Sequence, residues 1–85
     1  MRPPTYDQVE EWSFEWDEGN ESELAGHHIE PYEAEEIFLN GPVWRRDKKD
    51  AAGDYYITGR TDGGRILTIV VQLKAGHTVR PITGW

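Results

Sequence analysis

Apolar positions follow two rhythms along this chain. Trp12-Ser13-Phe14-Glu15-Trp16 alternates apolar and polar, which predicts a strand with its three aromatics on one face. Large aromatics bury much area each, so this strand should anchor the core. From Asp17 the spacing lengthens. Asp17 suits a helix N-cap, because its carboxylate accepts from the free N–H groups of the first turn. Glu18 and Glu21 suit the positive end of the helix dipole. A short helix to Gly26 or His27 is expected, with Leu24, Ala25 and Ile29 as its few apolar positions. A second helix opens at Pro31, where the missing N–H costs nothing. Ala34, Ile37 and Phe38 form its apolar stripe opposite Glu33, Glu35 and Glu36, and Asn40-Gly41-Pro42 ends it.

Beyond residue 42 the period is that of strands. Val43-Trp44-Arg45 is a short strand, and residues 46–53 read as a polar loop. Asp54 to Thr61 is a strand rich in aromatic and β-branched residues. Asp62-Gly63-Gly64 is a hairpin turn signal. Arg65 to Leu73 is apolar on both faces, the mark of a central strand. Lys74-Ala75-Gly76 is a further turn, and His77 to Thr83 a last strand. Residues 1–11 read as a tail or a short helical lead-in around Tyr6 to Glu11. Residues 12–85 then form one α+β domain: a short N-terminal strand, two helices and an antiparallel meander of about four strands, with the helices on one face.

Composition narrows the class. The 85 residues suffice for one domain, and 36% hydrophobic content with four Trp and four Tyr suffices for a core. Without cysteine there are no disulfides or thiolate metal sites. The start lacks the apolar run of a signal peptide, and the longest apolar run, Ile66 to Val71, is too short to span a bilayer. No membrane association is expected, and the cytoplasm is the default location. The net charge of -7 divides unevenly. Residues 1–42 carry one base against twelve acids, or -11; residues 43–85 carry eight bases against four acids, or +4. Such asymmetry points to a polyanion partner for the basic half, or to acidic helices keeping a small domain soluble.

Three arginines stand at informative positions. Arg60 precedes the tight turn, Arg65 follows it, and Arg80 lies in the final strand. If these strands are neighbours, the arginines converge on one sheet face. A guanidinium fork matches phosphate oxygens and keeps its charge, so the group would bind an RNA backbone and stabilise charge built up during its cleavage. Solvated strand-end arginines are the alternative. His27, His28 and His77 are the only histidines. Histidine is the usual acid or base near neutral pH, and a structural residue at a helix C-terminus is the plainer reading. The acidic cluster from Glu10 to Glu23 lacks calcium-loop spacing, and no Gly-rich phosphate loop is present. No metal or cofactor is expected.

With its segments placed, the chain resembles the BrnT-type toxin family of bacterial type II toxin–antitoxin systems. The resemblance runs from Phe14 to Trp85. Its first part is Phe14-Glu15-Trp16-Asp17-Glu18-Gly19-Asn20, then Leu24, His27, Ile29, Pro31 and Glu33 to Phe38. Its second is Gly59-Arg60-Thr61-Asp62-Gly63-Gly64-Arg65-Ile66-Leu67, Val70-Val71 and Val79 to Trp85. The resemblance implies a RelE-like fold and a metal-independent endoribonuclease that inhibits translation until a cognate antitoxin binds. RNA and the antitoxin are the implied partners, with a homodimer also allowed. Carried over by position, Arg65, Arg80 and His27 become the catalytic candidates; Arg60 and Arg45, which match no family position, are added as candidates for binding substrate. Two substitutions stand out: His28 where the family has Gly, and Trp85 where it has a second arginine. The chain ends at Trp85, where the family continues into a helix. The expected fold therefore lacks a C-terminal helix, is cut short relative to the family, and has one sheet face exposed. A non-catalytic interaction module of the same fold is the rival reading.

Overall fold

The computed structural model describes residues 2–46 and 55–85. A 3-10 helix, Tyr6–Glu11, leads into strand β1 (Ser13–Phe14), helices α1 (Glu18–Ala25) and α2 (Pro31–Leu39), and strands β2 (Val43–Arg46), β3 (Tyr55–Arg60), β4 (Ile66–Lys74) and β5 (Thr78–Gly84). The expected mixture of helices and antiparallel strands is present. The expected polar loop at 46–53 lies outside the described residues, except for Arg46, which ends β2. Asp54, expected to open β3, is likewise outside them.

The five strands are ordered β1-β5-β4-β3-β2. β2 to β5 form an antiparallel meander, because short links let consecutive strands pair. β1 is shorter than the expected 12–16 strand and joins the far side of the sheet, parallel to β5, with Phe14 opposite Val79. β4 is central and nearly all buried, as its apolar run requires.

One face of the sheet holds the core. Tyr55, Ile57, Leu67, Ile69, Val71, Leu73 and Val79 meet Leu24, Ile29, Ala34, Ile37 and Phe38 from the helical layer. Phe38 is the aromatic hub: Phe14 and Trp44 meet it edge-on at 5.3 and 5.7 Å, and Trp12 lies tilted at 6.2 Å. Trp16 is half-buried and donates from Nε1 to Glu35 at 2.7 Å, fastening the exit of β1 to α2. At Gly84 a Cβ would come within 2.8 Å of both Ile69 and the Thr68 carbonyl, so this strand end tolerates no side chain.

α1 is set by its ends. Asp17 accepts from the Asn20 backbone N–H, and Asn20 accepts in return from the Asp17 N–H, a reciprocal cap. After α1 the Ile29 N–H reaches the Leu24 carbonyl and the His28 N–H the Ala25 carbonyl. This is a Schellman ending, with its left-handed position filled by His28 at φ 61°. Glycine suits that position, which gives a physical reason for the glycine that the resemblance places there. His27 and His28 thus sit in a turn after α1 rather than on the helix.

Candidate functional site

The second face of the sheet is formed by alternate residues of each strand, those pointing away from the core. In register, Arg45 stands opposite Tyr56, Tyr56 opposite Val70, and Val70 opposite Thr83. The next rung is Val43, Thr58, Thr68 and Trp85, since Thr68 and Trp85 exchange both backbone hydrogen bonds. Arg60 and Ile66 follow. Among the described residues no helix packs on this face; α2 contacts β3 and β4 from the core side, and α1 lies along β5. Val43, Ile66 and Trp85 are 65, 63 and 59% exposed upon it.

Charge is sorted between the layers. The strands β2 to β5 contain Arg45, Arg46, Arg60, Lys74 and Arg80 and no acid. The acids of residues 7–36 belong to the helices and their connections. The exposed sheet face is therefore cationic although the chain is anionic.

The expected arginine cluster does not form. Arg65 stands before β4 and turns to the helical side. Its Nη1 donates to both Glu33 oxygens at 2.8 and 3.0 Å and to the His28 carbonyl at 3.0 Å. Glu33 has a side chain only 8% exposed, so Arg65 neutralises a nearly buried carboxylate. Arg80 does lie on the open face, but at its β1 end. It grips Asp17 through Nη1 and Nη2 at 2.7 and 3.3 Å and touches Glu15 at 3.3 Å. Glu15 also binds Lys74 at 2.7 Å. The guanidinium of Arg80 holds the Asp17 carboxyl below the usual range, chiefly by hydrogen bonding, and Lys74 does the same for Glu15. Asp17 in turn raises Arg80. Arg60 pairs with Ile66, whereas Arg80 pairs with Gln72. Six residues of β4 separate those positions, roughly 20 Å.

On the open face, Arg45 and Arg60 carry no carboxylate pair among the described residues. Arg45 rests its guanidinium 5.6 Å from the centre of the Tyr56 ring. Arg60 donates to the Gly64 carbonyl within the hairpin. The unpaired positive charge of the open face is thus at its β2–β3 end.

A groove between α1 and β5 borders the same face, with a volume of about 360 Å³ and a lining that includes Asn20, Glu23, Arg80, Ile82 and Thr83. Glu23 accepts from the Thr83 hydroxyl at 2.8 Å and lies 3.3 Å from His27 Nε2. Of the three catalytic candidates, Arg80 lines this groove, His27 stands beside the lining residue Glu23, and Arg65 is held at Glu33. Among the described residues no three acidic or histidine side chains gather as a metal site, and no helix is long and apolar enough to cross a membrane.

Asn20, Tyr56 and Trp85 emerged only with the tertiary structure. Asn20 is 3% exposed and donates from Nδ2 to the carbonyls of Glu15 and Pro81 at 2.9 and 2.8 Å. The signal for Asn20 was its place in the Phe14–Asn20 motif. For Tyr56 and Trp85 it was only aromatic identity at outward strand positions. Comparison with protein-family models, with curated proteins and with solved structures finds no match.

Proposed function

We propose that the protein binds and cleaves RNA in the manner of a BrnT-like, RelE-like toxin, with the exposed sheet face as its RNA-binding surface. The observation carrying this reading is the composition of the strands β2 to β5 themselves: five bases without an acid, presented partly on a face that no described helix covers. A polyanion is attracted to such a face by its field, and guanidinium groups bind its phosphates in fixed geometry. Arg45 and Arg60 hold the backbone, since no described carboxylate competes for them. Arg45 lies three strands from β5, about 14 Å. A nucleic acid strand crossing from Arg45 over Tyr56 and Trp85 arrives at Thr83 and the α1–β5 groove.

Cleavage belongs to that groove. The ribose 2′-hydroxyl attacks the adjacent phosphorus, its proton leaves to a base, and the departing 5′-oxygen takes up a proton. His27, held by Glu23, is the acid–base group within reach of the groove rim. Arg80 supplies positive charge for the phosphorane-like transition state, shared with Asp17. Arg65 has a supporting part, clamping α2 to the hairpin through Glu33. A cognate antitoxin that neutralises the protein would cover this face.

Expression of the intact chain should arrest growth and cleave RNA. Arg80→Ala should abolish cleavage. Arg45→Gln with Arg60→Gln should weaken RNA binding and flatten its salt dependence by a slope of about two. Wild type that neither binds nor cleaves RNA at low salt would refute the reading. It would favour a protein-binding module, for which the apolar trio Val43, Ile66 and Trp85 on one face is the supporting observation.

A further inference from the structure

We infer that Trp85, with Tyr56 and Arg45, forms a base-stacking subsite, so that the open face takes single-stranded rather than duplex RNA. This rests on the RNA reading above and adds to it what the face recognises. Three planar groups follow one another across the sheet. The Arg45 guanidinium lies 5.6 Å from the Tyr56 ring centre, and the Tyr56 and Trp85 centroids are 6.1 Å apart at 64°. The edge-on contact leaves the indole unstacked by Tyr56, and Trp85 stays 59% exposed. Its position is fixed all the same, because its N–H and carbonyl are both bound to Thr68 at 2.9 and 2.8 Å.

A π-face that is positioned, exposed and beside unpaired cations is what an unstacked base requires. A base in a duplex already has both faces covered by its neighbours, so it gains nothing from Trp85. Between the strands that carry the rings, β4 places Thr68 and Val70, both buried, and the Thr68 hydroxyl shares a hydrogen bond of 2.8 Å with Thr58. None of these carries charge, so phosphates keep to Arg45 and Arg60 and bases to the exposed indole. Charge complementarity sets the occupant: among the described residues, Glu15 and Asp17 at the β1 end are already held by Lys74 and Arg80, Glu23 at the Thr83 edge is engaged by the Thr83 hydroxyl and His27, and no acid stands beside Arg45. An acidic peptide would satisfy Arg45 and Arg60 as well, but it has no regular supply of flat rings for the centre.

The test compares two strands of equal charge, a 2′-O-methyl oligouridine that cannot be cleaved and an abasic strand of the same length. Both are titrated at low salt and followed by fluorescence anisotropy. Wild type should bind the base-bearing strand about tenfold or more tightly than the abasic one. Trp85→Ala should erase most of that ratio and leave the abasic affinity in place, while Trp85→Phe should keep much of it. Arg45→Gln should weaken both strands. Equal binding of the two strands by wild type, or equal weakening of both by Trp85→Ala, overturns the stacking subsite and leaves the RNA reading standing. Binding of neither strand overturns both.

Discussion

Replacing Asn20 by alanine removes three hydrogen bonds at one stroke. Its Nδ2 ties α1 to the Glu15 carbonyl beyond β1 and to the Pro81 carbonyl of β5, and its Oδ1 accepts from the Asp17 N–H. Each such bond contributes about 1 kcal/mol net. The Pro81 carbonyl is buried, 61 positions away in sequence, and leaving such an acceptor unpaired adds a desolvation cost. The expected loss is therefore about 2–4 kcal/mol. For a domain of this size each kcal/mol moves the midpoint by roughly 4–8 °C. Urea unfolding followed by tryptophan fluorescence should show a lower midpoint with an unchanged slope. Asn20→Asp makes the reasoning sharper. It keeps the acceptor but sets a carboxylate against two carbonyl oxygens, which raises its folded pKa above the unfolded value of about 3.9. Its deficit relative to wild type should be full at neutral pH and shrink as pH falls through that raised value, since the protonated acid can donate. An Asn20→Ala variant within about 0.5 kcal/mol of wild type, or an Asn20→Asp deficit that ignores pH, would refute this account of how α1 is held.

Two further outcomes follow from the geometry. His28→Gly should stabilise the fold by about 1 kcal/mol, because a left-handed residue with a Cβ is strained where glycine is not; thermal unfolding checks it, and an unchanged or lower midpoint would show that His28 earns its place through contacts. Glu15 and Asp17 have folded pKa values below their ordinary ones, so the stability they add is present above about pH 4 and is lost as pH falls through the lowered values. Arg80→Gln should weaken this acid dependence, measured as the unfolding midpoint against pH.

What the sequence determined by itself was local. Pro31, the stripe of Ala34, Ile37 and Phe38, and Asn40-Gly41-Pro42 specify α2 to the residue, because start, buried face and stop all act within one helix. Asp17 capped α1 as its chemistry demands. The Asp62-Gly63-Gly64 turn brought β3 and β4 together for the same reason, and the split of charge at residue 42 carried through to an acidic helical layer and a basic sheet. The tertiary structure decided the rest. Alternation tells which residues share a face of a strand, but not which strand lies beside it, so the parallel pairing of β1 with β5 was out of reach. The fate of an arginine depends on which carboxylate comes within a few ångströms. Arg65 found Glu33, 32 positions away, and Arg80 found Asp17, 63 away. Pairing with these acids took two of the expected phosphate binders, while Arg45 and Arg60 found no described carboxylate. Only the sheet register, placing Trp85 beside Thr68 and within reach of Tyr56, could set an aromatic platform running across the sheet from Arg45.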